Sequence, residues 1–167
     1  MEMITISDAQ KITSPNPFAL IAAKKPDGTT NLMALSWWSY LSNNPATIGV
    51  CTSNRKYTGE LIKANGEFCL CIPDVSIKES AFRCGTCTGR DNDKAEMFGI
   101  ELEDAETVDV KRVKKSALVL ECKLKNAVDV GDHTLYIAEV SACRANRELT
   151  PVFAMDGYKR LSEVTNP

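Results

Sequence analysis

The chain has 167 residues, 44% of them hydrophobic, enough to close one sizeable core, and it reads as a single domain over residues 1–167. Its 20 basic and 22 acidic side chains leave a net charge of −2, so no positive field is available to hold a nucleic acid. No apolar run reaches the roughly 20 residues of a membrane helix, and the first residues lack the basic and apolar regions of a signal peptide. Seven cysteines are an odd number for a disulfide framework. The expectation is a cytoplasmic protein with reduced thiols and no membrane partner.

Residues 18–23 (FALIAA) form a continuous apolar run that stops at Pro26-Asp27-Gly28. A run bounded this way suits a buried strand, although its length is also compatible with a helix. Residues 31–38 can make the return strand of a hairpin, Asn43-Asn44-Pro45 breaks the chain, and 46–52 (ATIGVCT) reads as a third strand. A short helix fits 57–64, with Thr58 as its cap and Glu60 in its first turn, and Asn65-Gly66 ends it. Residues 67–72 resume strand character, and 74–99 are polar and helix-prone.

The last two strands are the plainest. Over 117–124, Leu118, Leu120, Cys122 and Leu124 alternate with Val119, Glu121 and Lys123, and 134–140 (TLYIAEV) follows Gly131-Asp132. The basic run Lys111-Arg112-Val113-Lys114-Lys115 reads as a solvated edge. Many strands, short turns and few short helices favour an antiparallel barrel over a doubly wound sheet.

Four groups of residues could carry chemistry. The turn Ser53-Asn54-Arg55-Lys56-Tyr57-Thr58 offers helix-start amides, hydroxyls and positive charge to an anion, without the glycines of a P-loop or dinucleotide fingerprint. Taken alone, a solvated turn before a capped helix accounts for it as well. Trp37 and Trp38 point to opposite faces of a regular strand, so one could enter the core while the other forms a stacking surface or a subunit contact. Cys84-Gly85-Thr86-Cys87 is a C-x-x-C, and Cys69 and Cys71 share a strand face. Four thiols could hold zinc or an iron–sulfur cluster, but C-x-C on an extended strand chelates poorly and the βαβ context of a thioredoxin-like pair is missing. Small buried residues, or an incidental reactive pair, account for them. His133 is the lone histidine, either structural or a donor to a cofactor.

Taken in order, these pieces resemble the flavin reductase-like family of FMN-binding split barrels, especially its flavoredoxin branch. The landmarks are Asn-Pro-Phe-Ala-Leu-Ile (16–21), Asp27-Gly28 with Asn31, Ser36-Trp37, Asn44-Pro45 and the turn Ser53 to Thr58. They continue with Thr88-Gly89-Arg90-Asp91 and Asp93-Lys94, Leu120-Glu121-Cys122, Gly131-Asp132-His133 and Glu139-Val140. The resemblance spans roughly residues 15–160, and the order and spacing are more specific than any one landmark. The family's Asp-Lys-Phe is Asp93-Lys94-Ala95 in this chain.

The resemblance implies a homodimeric, six-stranded antiparallel Greek-key split barrel with a few peripheral helices, binding FMN near the subunit interface. It implies a ring side formed by Asn31, Ser36 and Trp37, and a phosphate side formed by Ser53, Asn54, Arg55, Thr58 and Lys94. His133 would lie close to the flavin as the catalytic candidate, and Tyr158 would cover the ring. The implied activity is electron transfer from NADH or NADPH through FMN to flavin, iron or a protein acceptor. The alternatives are a non-enzymatic flavoredoxin-type carrier, a split-barrel oxidase of a pyridoxine phosphate and, from a different class, a cysteine-based metal or thiol-redox module.

Overall fold

A computed structural model describes residues 1–164, so the last three residues of the expected domain lie outside it. Helix α1 (Ile6–Ile12) and the short β1 (Asn16–Pro17) lead into the hairpin β2 (Ala19–Lys24) and β3 (Thr30–Leu35). Gly28 turns this hairpin at φ 84°, a conformation that costs glycine little. Ser36 and Trp37 alone separate β3 from β4 (Trp38–Asn43), which pairs with β5 (Ala46–Ser53). Next come α2 (Tyr57–Asn65), β6 (Glu67–Pro73), a 3-10 turn (Val75–Ile77), α3 (Lys78–Arg83) and α4 (Lys94–Phe98). A small ribbon, β7 (Leu102–Asp104) with β8 (Lys111–Val113), precedes the long pair β9 (Ser116–Val130) and β10 (His133–Ala145). The described chain ends with β11 (Phe153–Met155) and β12 (Arg160–Ser162), which form a three-stranded sheet with β1.

The main sheet is ordered β3-β2-β6-β9-β10-β5-β4, with antiparallel neighbours throughout. Its two edge strands, β3 and β4, are consecutive in the chain. Two linking residues cannot span a flat seven-stranded sheet, because strands lie about 4.8 Å apart. The sheet therefore curls until its edges approach, and a bond from Cys51 N to Trp37 O (2.8 Å) carries the β4–β5 pairing into the linker. This is a mostly β split barrel, as expected. Two details of the expectation are corrected. The 31–38 run breaks at Ser36-Trp37, and a seventh strand continues over Trp38–Asn43, where all but Trp38 are exposed and no apolar face announces a strand.

The apolar run of β2 is explained by burial on both faces. Ala19 and Ile21 enter the barrel interior with Met33, Val50, Phe68 and Leu120, whereas Leu20 and Ala22 meet an outer layer built from α3, α4 and β8. Strand β6 divides in the same way, with Phe68, Leu70 and Ile72 inside and Cys69 and Cys71 outside. Residues 74–99 are not one helical stretch. Loop 84–93 separates α3 from α4, and Asp93 caps α4 by accepting from Ala95 N (3.0 Å) and Glu96 N (3.1 Å). Among the described residues, no helix is long and apolar enough to cross a membrane.

Glu121, in the landmark Leu120-Glu121-Cys122, is wholly buried. Burial alone would raise its pKa. The amides of Glu106 (3.0 Å) and Thr107 (2.7 Å), the Thr107 hydroxyl (2.7 Å) and Arg112 (3.3 Å) outweigh that and hold the carboxyl below the usual range. It is a fold anchor that ties loop 105–107 to β9.

Candidate cofactor site

Loop 84–89, the start of α2 and strand β3 enclose a cavity of about 430 Å³. Asn31 lies on its wall, 2% exposed, and its Nδ2 donates to Thr58 Oγ1 at 2.7 Å. Its Oδ1 is buried and has no partner. A methyl group on Gly89 would run into that oxygen, so only glycine lets the loop pass this close. Thr58 is not the helix cap that the sequence suggested. Lys56 occupies the cap position and offers no side-chain bond, which leaves the first amides of α2 free of a capping side chain at the cavity wall. Arg55 and Lys56 supply positive charge at the same place.

Lys94 lines this cavity but is not a free cation. It is 4% exposed, and its Nζ donates to the carbonyls of Leu32 (2.9 Å) and Cys84 (2.7 Å). Burial holds its pKa below the usual lysine range, opposed by the nearby Cys87 and Cys84 thiols. An ammonium has three donors, so one remains for a ligand.

A second, mainly apolar cavity of about 220 Å³ adjoins the first and shares Met33, Ala34, Lys56 and Tyr158 with it. Ser36, Trp37, Ser53 and His133 are among the residues of its remaining wall. His133 opens β10 opposite Ser53 on β5, and its ring stacks on Trp37 with centroids 4.8 Å apart. Its Nδ1 lies 2.7 Å from Asp132 Oδ1, which leaves Nε2 for a ligand. Trp37 remains 39% exposed, while Trp38 is half-buried and packs edge-on against Tyr40.

Tyr158 stands at the junction of the cavities. Asp156, Gly157 and Tyr158 all have left-handed backbone, at φ 55°, 65° and 74°, an unfavourable conformation for the two non-glycines. The ring packs between Phe18 (5.7 Å) and Phe82 (5.8 Å) rather than lying as a loose cover, and its buried hydroxyl has no partner. Burial pushes that phenol well above its usual pKa, with a smaller contribution from Cys84, so the group is a neutral donor.

The fold thus brings Asn31, Arg55, Thr58, Lys94 and Tyr158 onto one cavity and Ser36, Trp37, Ser53, His133 and Tyr158 onto the other. Asn54 lines neither. Its Nδ2 donates to Gly131 O (3.2 Å) and its Oδ1 accepts from Thr134 Oγ1 (2.7 Å), so it ties the helix entry to the β9–β10 turn. Met33, Ala34 and the loop residues 84–89 line the site without being expected there: Thr88-Gly89 stood out only as a family landmark, and Cys84-Gly85-Thr86-Cys87 only as a possible thiol or metal motif. Among the described residues no group of three or more Cys, His, Asp or Glu side chains is placed to hold a metal ion, the four thiols included.

The residues fit a ligand with an anionic end and a flat apolar end. Residues of a helix start without a capping side chain, two cations and Asn31 border one cavity, and an indole–imidazole stack walls the other. The chain belongs to the flavin reductase-like family: the flavin reductase like domain matches residues 12–162. An uncharacterized protein of Archaeoglobus fulgidus is 33% identical over 110 residues, 66% of this chain and 62% of that one. A second uncharacterized relative, from Pyrococcus abyssi, is 32% identical, and the chain spans 64% of its length. Among solved structures, a flavoredoxin from Methanosarcina acetivorans superposes with a TM-score of 0.85 at 24% identity, over 100% of this chain and 94% of that one. The flavoredoxin of Desulfovibrio vulgaris (Miyazaki F) gives 0.85 at 22% identity, over 93% and 90%. These two likenesses establish the fold.

Proposed function

We propose that the chain is an FMN-dependent oxidoreductase that works as a cytoplasmic homodimer, taking electrons from NADH or NADPH and passing them to flavin, iron or a protein acceptor. The observation that carries this reading is the continuity of the two cavities through Lys56 and Tyr158, which gives one phosphorylated aromatic ligand a polar and an apolar berth. Bound FMN would supply hydride and single-electron chemistry. The chain's residues would do the rest. Arg55, Lys56 and the first amides of α2 would neutralise the phosphate, and the unpaired Asn31 Oδ1 would accept from a ribityl hydroxyl. Trp37 and His133 would wall the ring, with His133 Nε2 as the atom that holds or gives a proton there.

All seven cysteines are free thiols, which agrees with a reducing compartment. The test is anaerobic. FMN-loaded protein mixed with excess NADH or NADPH should lose its flavin absorbance within seconds. Flavin that binds but stays oxidised would exclude the nicotinamide step and leave a flavoredoxin-type electron carrier. Protein that takes up no FMN would remove both.

A further inference from the structure

Loop 84–93 carries a motif that the cofactor reading leaves unused. Cys84 and Cys87 lie three residues apart and line the same 430 Å³ cavity. Successive bonds from Cys84 N to Ala81 O (3.2 Å), Gly85 N to Phe82 O (3.0 Å) and Thr86 N to Arg83 O (3.0 Å) extend α3 as a tight turn. In such a turn, side chains three apart are brought one above the other. The Cys84 carbonyl, at the start of the C-x-x-C, accepts from Lys94 Nζ at 2.7 Å.

The two thiols differ in access. Cys84 is fully buried and Cys87 is partly exposed at the cavity. Burial pushes the Cys84 thiol up to about 12, with the Lys94 ammonium acting against that rise and Cys87 adding to it. The remaining cysteines offer no such pairing. Cys69, Cys71 and Cys122 are sealed in the sheet, whereas Cys51 and Cys143 lie on separate strands.

The geometry points to Cys84 and Cys87 as a dithiol–disulfide couple that exchanges with low-molecular-weight disulfides through the cavity. The Cys87 thiolate attacks one sulfur of the external disulfide, breaks its S–S bond and releases one thiol. Cys84 then attacks the Cys87 sulfur as its proton passes to the departing external sulfur, which breaks the mixed disulfide and releases the second thiol. The protein pair gives up two electrons and two protons, and the external disulfide becomes two thiols. Burial of Cys84 bars an external disulfide from reaching it, so intramolecular attack is the route that resolves the adduct. The couple uses no flavin, and FMN bound in the same cavity would compete with the external disulfide for access to Cys87.

Oxidised glutathione tests it on the folded, full-length protein, with acid quenching and tryptic mapping. Cleavage after Arg83 and Arg90 isolates both thiols in one peptide, Cys84 to Arg90. That peptide should lose two hydrogens and exceed its glutathione adduct by about tenfold or more, because the second thiol acts at high effective concentration. Dithiothreitol should reverse the change, and Cys84→Ala should trap glutathione on Cys87. A wild-type peptide that ends mainly as the Cys87 adduct, or stays unmodified while exposed Cys143 is glutathionylated, would overturn the proposal.

Discussion

Lys94 shows how one residue can carry two duties at this site. Its ammonium joins the carbonyls of β3 and of loop 84–89, so it holds the cavity closed while offering its third donor to a ligand. Lys94→Ala should therefore cost about 2–3 kcal/mol of folding stability by orphaning two buried acceptors. It should also weaken FMN binding, and urea unfolding and a fluorescence titration measure the two losses separately. Tyr158 makes the opposite case. Its buried hydroxyl is unpaired, so Tyr158→Phe should raise the stability of the FMN-free protein by about 1 kcal/mol. The same change should lower FMN affinity several-fold where that hydroxyl donates to the cofactor. Thermal unfolding with and without FMN reads both signs.

At the scale of elements, the site depends on a loop that touches β3 without a hydrogen bond between Gly89 and Asn31. Gly89→Ala would force the loop off Asn31 and should cost about 1–3 kcal/mol, through overpacking, in stability, FMN affinity or both. Unchanged values in denaturant melts and FMN titrations would show that the loop yields freely. The Glu121 cluster supplies a pH signature. Its folded pKa lies below the ordinary 4.5, so its stabilisation is complete above that value and is lost as pH falls through the lowered one. Acid unfolding should steepen below pH 4.5, and Glu121→Gln should flatten that limb. Much at this level was readable beforehand. The period-two pattern marked β9, but only as far as Leu124, because residues 125–130 are all exposed and carry no inward face. Strand β4 was hidden for the same reason.

For the whole molecule, the remaining question is what covers the outer face of β4. Tyr40 and Leu41 are 62% and 50% exposed on an edge strand, and Val128 and Val130 add apolar surface on the β9 extension. The proposed homodimer would bury such residues. Sedimentation of the protein should give twice the chain mass, and Leu41→Lys should shift it toward the monomer. Composition, alternation and turn residues alone determined a mostly β fold, and the order of its landmarks determined its family. Those signals are local, since burial imprints a period on each strand and glycine or proline marks each turn. Tertiary structure decided which polar residues share a cavity. It separated Asn54 from its neighbours in the turn, tied Lys94 to two carbonyls, placed Cys84 and Cys87 on one cavity wall and joined Trp37 to His133. Most of these contacts join segments far apart in the chain, such as Lys94 with Leu32 and Trp37 with His133, and only the folded barrel brings them within reach.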